Sequence, residues 1–510
     1  MTSTSEAPFT VSQRQIRLMF TGIVAGMSLS ALDGTIVNTA LATIVGDLGG
    51  VKSYAWVGTA YMLTSTASTP LFGKLSDLYG RRALFQTAII TFTVASVFCA
   101  LAQNMWQLVL ARGLQGVGGG GLFALSFTII GDVVSPRERG RYVGVITSIF
   151  TVTSVIGPLI GGFIVDNMSW RWIFYVNIPI GVAAMVITDR ALRLPFPRQQ
   201  KKVDIVGATL LVASVSSLIL GLAWTSEDYG WLHPSTVGLF VATLVLGAVF
   251  VRWEETVDEP IMPLSLLRID VVRTIVPLMF LVGAVFYGAN AFTPLYLQSV
   301  TGVSATNSGL LLVPLAVAVA FSATYVGRRT ARTGGYKWWP LVGTVITLSA
   351  LVVLSTLGPS RGYLYVAMTG AALLGLGLGA IMPTGTLAVQ NAVPPHEMGA
   401  GSSFVLFMRS LGGAIGLAAY GAVFNSRISG RIDPELVRDP RVISKLPTDD
   451  KEQALEVLSA AIHTVFRAAV PVMIIAILIA YRVPARPLRT TSAMADINAA
   501  RSEAAVSAGD

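Results

Sequence analysis

A few residues in this chain could move a proton or hold a charge where water is absent. Asp33 lies well inside one apolar run, and Arg112 and Arg409 lie inside two others. A charged side chain at the centre of a membrane helix costs on the order of 2.5–3.5 kcal/mol on insertion scales, so each position asks for a use. Asp33 is the only acid deep in any such run, because Asp132 and Asp166 fall at the ends of theirs. A carboxyl group taken out of water and set near a cation can pass between its charged and neutral forms, which is what a proton carrier must do. Arg112 could serve such an acid, or it could hold backbone carbonyls of a neighbouring helix. Arg409 has no acid at comparable depth, and an anionic substrate and a backbone anchor are equally open to it. Neutral candidates for a substrate wall are Asn38, Tyr61, Gln115 and Asn290, with Thr64 and Gln298 beside them; each could instead hydrogen-bond between helices.

The elements that position these residues are apolar helices. Of 510 residues 53% are hydrophobic and 12% charged, about half the charged share of a soluble domain, so water is not the main solvent. Fourteen spans can be drawn at roughly 16–41, 54–72, 83–103, 106–130, 142–165, 172–189, 204–224, 236–251, 274–298, 307–326, 338–357, 364–390, 399–424 and 462–481, each long enough to cross a bilayer core or nearly so. The fold class expected is all-α integral membrane. Six helices over 16–190 form one bundle, two over 204–253 link, and six over 273–481 form the other. Residues 1–15 and 482–510 are polar and read as tails, and no signal peptide is expected. Lys52, Arg171 and Arg361 are the only basic residues in the short loops assigned outside, whereas the opposite loops are rich in Lys and Arg. That asymmetry places both termini in the cytoplasm. The one long external segment, about 425–461, carries both signs of charge, and Asp449 followed by Glu452 suggests a short surface helix there. Such a helix could meet a periplasmic adaptor or lipoprotein partner, or simply pack on the mouth of the bundle.

Several functions are excluded by the same residues. The net charge of +9 is accounted for by the loop asymmetry, so no nucleic-acid partner is implied. The single cysteine, Cys99, and three scattered histidines offer no metal site, and the phosphate-cradling spacing of a nucleotide-binding loop is missing. No cofactor is expected, no catalytic residues are assigned, and the chain is not read as an enzyme.

The chain also repeats itself. At an offset of 259, Gly116, Gly118 and Gly120 fall on Gly375, Gly377 and Gly379, Asp132 on Asn391, and Pro136, Glu138, Gly140 and Gly157 on Pro395, Glu397, Gly399 and Gly416. An offset of 254 sets Gly73 and Gly80 on Gly327 and Gly334. Two repeated halves place a binding site near the midplane between them. Arg112 falls on Ala371 and Asp132 on Asn391, so the ionisable groups persist only in the first half, where proton chemistry is expected.

Gly73-Lys74-Leu75-Ser76-Asp77-Leu78-Tyr79-Gly80-Arg81-Arg82 resembles the cytoplasmic loop signature of the major facilitator superfamily. Two glycines would permit a tight turn, and Asp77 could accept hydrogen bonds from a helix N-terminus or an arginine. Gly73, Asp77, Gly80, Arg81 and Asp132 are therefore expected to latch the halves. Leu108 to Gly118, with Arg112 and Gln115, resembles the fourth-helix motif associated with proton coupling. Gly157-Pro158-Leu159-Ile160-Gly161-Gly162 resembles the antiporter motif, with Thr153 where a glycine is usual, and reads as a packed hinge between the halves. Leu32 to Leu41 and Trp170 to Gly181 are similar to the fourteen-helix drug:proton antiporter branch. The resemblance implies that the first and fourth helices are neighbours, so that Asp33 carries the coupling proton and Arg112 tunes it, unless the two form a fixed pair that only orders the bundle. It implies export of small lipophilic or cationic compounds across the cell membrane in exchange for protons. A dedicated exporter of an endogenous metabolite, siderophore, antibiotic or lipid is the alternative.

Overall fold

The computed structural model describes residues 13–49, 54–192, 203–227, 230–303, 305–429, 431 and 447–490. Among them every long element is a helix. In chain order these are α1 Gln13–Leu48, α2 Tyr54–Tyr79, α3 Arg81–Ala100, α4 Met105–Val133, α5 Pro136–Asn167, α6 Trp172–Tyr175 and α7 Asn177–Ala191; then α8 Ile205–Glu227 and α9 Pro234–Glu254; then α10 Asp270–Ser299, α11 Ala305–Leu311, α12 Val313–Thr333, α13 Trp338–Leu354, α14 Leu364–Ala392, α15 Met398–Ile428 and α16 Thr448–Tyr481. Eleven helical segments of the described residues are long and apolar enough to cross a membrane. Side chains such as Leu110, Phe163, Leu244 and Leu478 point outward and exposed, as in a multi-pass membrane protein whose surface meets lipid.

Helices α1 to α7 pack as one bundle and α10 to α16 as a second, with the α8–α9 pair lying against α2 and α15. The halves meet mainly through α2 on α15 and α5 on α12. Small residues permit close packing within the first half. A Cβ on Gly118 of α4 would collide with the backbone of Phe92 and Ala88 in α3, and one on Gly116 with the backbone of Tyr61 in α2, so α4 is wedged between its neighbours at backbone distance.

The apolar core of the first half is split in two. One cluster holds Met19, Ile23, Met27 and Leu29 with Phe85, Phe92 and Leu122; the other holds Ile36, Val37, Ala40 and Ile44 with Cys99, Leu108 and Phe174. Asp33 lies in the gap. One continuous cluster fills the second half and also takes in Ala67 of α2, Leu211 and Val215 of α8 and Phe250 of α9.

Three expectations change. The helix α16 begins at Thr448, with Pro447 as its N-cap and no side-chain cap, so the separate surface helix foreseen after Asp449 is the start of the last long helix. Residues 483–490, expected to be part of a free tail, are an ordered extended strap. The Leu488 N–H donates to the Gly334 carbonyl (3.3 Å), the Asn391 amide donates to the Pro487 carbonyl (3.1 Å), and the Arg489 N–H donates to the Asn391 side-chain oxygen (2.9 Å). Of the tail expected at 1–15, residues 13–15 begin α1 and residues 1–12 lie outside the described residues, as do 491–510 and, in the long external segment, 430 and 432–446. Finally, only one glycine of the loop signature makes a turn. Gly80, with φ 94°, stands alone between α2 and α3 in the left-handed region open to glycine. Gly73 is helical, and its role is close approach: a Cβ there would run into Ser403 and the Gly399 carbonyl of α15.

Candidate functional site

Asp33 of α1 is fully buried and held from two other helices, α4 and α7. The Arg112 guanidinium of α4 pairs with one carboxylate oxygen. The other oxygen accepts from the Gln115 amide (2.8 Å) and the Asn177 amide (2.9 Å). Gln115 also donates to Ser96 of α3 (2.8 Å) and accepts from Arg112 (2.6 Å), and the Cys99 thiol reaches its oxygen at 3.6 Å. Arg112 lies over the Tyr61 ring, 4.4 Å from its centre, and Tyr61 shares a hydrogen bond of 2.8 Å with Ser30. This polar layer is why the first half's core is divided. Each member has a partner that repays part of its desolvation, which a buried ion pair requires. One N–H of Arg112 and the Asn177 oxygen remain unpaired, leaving hydrogen-bonding capacity for a rearrangement.

A second cluster sits at the end of the bundle bearing the α2–α3 turn. Asp77 accepts the backbone N–H groups of Gly399 (3.2 Å) and Ala400 (3.0 Å), at the first turn of α15 in the other half. Arg81 pairs with Asp77 and with Asp132 (2.6 Å). The carboxylate therefore caps a helix start, where orphan N–H groups and the helix dipole both favour negative charge. Nearby, buried Arg139 donates to Gln390 of the second half (2.7 Å), and Arg137 donates to the Ala331 carbonyl (2.9 Å). The halves are bonded together at this end.

Residues 23–417 of the chain match the Major Facilitator Superfamily. The chain belongs to this superfamily. It is 37% identical over 428 residues to the multidrug transporter protein MdtP of Bacillus subtilis, covering 83% of this chain and 78% of that one. It is 31% identical over 508 residues to multidrug resistance protein 3 of the same organism, covering 95% and 98%. In fold it is similar to the proton:xylose symporter XylE, with a TM-score of 0.61 at 14% identity over 96% of this chain and 99% of that one. Superfamily membership makes it a membrane transporter and not an enzyme.

Within this superfamily fold the remaining expected residues separate. The glycines of the antiporter motif were expected between the halves, but they pack inside the first half. A Cβ on Gly157 would strike Thr35 of α1, and one on Gly161 would press on the Ile36 carbonyl, whereas Gly162 faces open space. The Thr35 hydroxyl donates to the Thr153 carbonyl (3.2 Å), so this seam lies two residues from Asp33. The side chain of Pro158 is outside the described set, as is that of Asn38. Gln115 spends its amide and oxygen within the Asp33 layer and so belongs to the ion pair rather than to a free substrate wall. Asn290 is exposed and joins neither cluster. Thr64 bonds the Gly113 carbonyl (2.6 Å) and Gln298 bonds Ser308 (3.0 Å), both within a half. Arg409 lies half-buried over Phe123 of α4, 5.2 Å from its ring centre.

Two members of the Asp33 layer, Ser96 and Asn177, were not foreseen. Asn177 stands in the Trp170 to Gly181 stretch that carried a family resemblance, and an amide at the start of an apolar helix was the available signal. At the opposite end of the bundle from the α2–α3 turn, Asp47 accepts from the Trp170 indole N–H (2.7 Å) and from Arg171 (3.2 Å). Those two donors hold its carboxyl below the ordinary carboxylate value.

Proposed function

We propose that this chain is a proton-coupled antiporter that exports small lipophilic or cationic organic compounds by alternating access. The observation that carries the reading is the buried Asp33–Arg112–Gln115–Asn177 layer. A carboxylate with a paired arginine and neutral amides around it can take up a proton and give back its hydrogen bonds to a rearranged network. That the two relatives named above are multidrug proteins supports efflux of organic compounds. The fourteen-helix arrangement places α2, α5 and α13 in the membrane beside the eleven more apolar segments. The first two are polar for their length because they form the seam between the halves, with α15 and α12 respectively. The membrane is the cytoplasmic one and both termini lie inside, so the end bonded through Asp77, Arg139 and Arg137 is the cytoplasmic side, closed in this state. Protonation of Asp33 from the outer side and release of substrate then alternate with opening of that latch.

The test is transport into inside-out vesicles or proteoliposomes with an acid lumen, using a panel of fluorescent lipophilic dyes. Wild type accumulates dye on acidification, and Asp33→Asn does not. Equal accumulation by the variant removes Asp33 from the coupling step.

A further inference from the structure

The seam between the halves holds a cation that the Asp33 layer does not compensate. Arg409 of α15 has no carboxylate partner among the described residues, in contrast to Arg112. Its contacts are the Phe123 ring at 5.2 Å and the Met382 sulfur at 3.8 Å, and its Nε–H, although buried, has no acceptor. A guanidinium presents five donors in a planar fork suited to a carboxylate. Here an aromatic face and a thioether, the weakest of acceptors, occupy part of it.

The surroundings favour an organic body over a bare ion. Phe123 comes from α4 of the first half, Met382 from α14 and Arg409 from α15 of the second. Tyr287 of α10 packs on Gly413, one turn beyond Arg409, and lies within electrostatic reach of both Arg409 and Tyr61. Tyr61, Phe123, Tyr287, Met382 and Arg409 all lie inside helices and all keep partial exposure, so they border accessible space between the halves. That space is aromatic, carries hydroxyls at its edge, and has one unpaired positive charge. The Asp33–Arg112 pair adjoining it at Tyr61 is neutral as a unit and does not cancel that charge.

We propose that Arg409 binds the anionic group of an amphipathic organic acid, a single carboxylate on an aromatic or apolar body, between the two halves. The substrate's carboxylate replaces Met382 on the fork and supplies the missing partner of Nε, while its body lies against Phe123, Tyr61 and Tyr287. The inference rests on the efflux reading and narrows it, ranking acidic compounds above neutral and cationic ones of the same body. The preference among probes of one body depends on Arg409 and not on Asp33.

The experiment compares a matched set of fluorescent probes, 1-pyrenebutyrate, its methyl ester and a pyrenebutyl-trimethylammonium cation, binding to the purified full chain by anisotropy. Wild type should bind the acid at least about tenfold more tightly than the ester or the cation, as one charge-assisted contact in a desolvated site provides. Arg409→Gln should bring the three to equality, and Arg409→Lys, which keeps the charge but loses the fork, should fall between. Thermal unfolding of each variant shows whether it is folded, and Arg409→Lys decides the matter if Arg409→Gln is not. Equal binding of the three probes by wild type, binding of none, acid preference surviving in Arg409→Gln, or displacement of the acid by chloride at equal concentration would each overturn the proposal. Asp33→Asn keeps the acid preference while losing proton-driven movement. If antiport fails with the preference intact, the coupling reading is at fault, and if the preference fails with antiport intact, the anion site is.

Discussion

Replacing Asp77 by asparagine should open the end of the molecule that the structure shows bonded shut. The carboxylate accepts two backbone N–H groups from the first turn of α15, at 3.2 and 3.0 Å, and its side chain is 6% exposed. Asparagine keeps one acceptor oxygen and turns an N–H group towards the second donor, so one of the two bonds is lost and the other becomes neutral. A hydrogen bond to a charged group contributes about 1.5–3 kcal/mol, and burial leaves little solvent screening to discount. Losing one should therefore move the closed-to-open ratio by roughly tenfold to a hundredfold, at about 1.4 kcal/mol per tenfold. Arg81 retains Asp132, so the fold itself should survive. Spin labels at Glu138→Cys on α5 and Arg329→Cys on α12, both exposed, report the separation by electron-electron distance measurement, and the native Cys99 is buried and should not label. Wild type should give a single short separation and Asp77→Asn a clear added population of long ones. A folded Asp77→Asn protein with the wild-type distribution would refute the claim that this carboxylate holds the halves together.

Other positions give sharper local tests. Gly157→Val places side-chain atoms where Thr35 lies, at an overpacking cost of about 1–3 kcal/mol, and should slow dye efflux in proteoliposomes without loss of the monodisperse peak on size exclusion. A wild-type rate would mean the α1–α5 contact beside Asp33 is idle. Ending the chain at Arg482 removes both strap bonds to Asn391 and the burial of Val483 and Leu488. With the Leu488 N–H bond to Gly334 also lost, three net hydrogen-bond contributions of about 0.5–1.5 kcal/mol each mean that the purified protein should lose at least roughly 1.5 kcal/mol of stability, read as a lower thermal midpoint; an unchanged midpoint would show that the strap is passive. At Asp47 the folded-state value is depressed by Trp170 and Arg171, so its contribution is present above the unfolded value, about pH 4, and lost as pH falls through the lowered folded value. The difference in thermal midpoint between wild type and Asp47→Asn should thus be flat from neutrality down to about pH 4 and vanish in stronger acid.

How far the sequence carried can be judged from particular residues. Asp33 and Arg112 announced themselves because a charge in an apolar run is costly, and cost is visible without a structure. Their amide and hydroxyl partners were not, since Ser96 and Asn177 are neutral, common in membrane helices and cheap to place. The type of Asp77's partner, a helix N-terminus, followed from its chemistry, but its identity as the start of α15 depended on a contact across more than three hundred residues. Gly73 was assigned to a turn because glycine serves both turns and close approaches, and only the nearness of Ser403 distinguishes them. The strap at 483–490 reads as tail by composition, and what orders it is backbone hydrogen bonding to Asn391 and Gly334, which composition does not encode. Asn391 occupies the repeat position of Asp132: where the first half uses Arg81 on an aspartate, the second uses the chain's own extended backbone on an asparagine.

The central claim is that Asp33 exchanges its proton against substrate, and proton counting on binding tests it most directly. Purified protein in a weakly buffered solution is titrated, from a series of starting pH values, with a dye that the vesicle assay has shown to be transported, and the pH is followed. Wild type should release about one proton per dye bound and Asp33→Asn none, while both bind. Release by Asp33→Asn equal to that of wild type would contradict the account and place the coupling proton on another group.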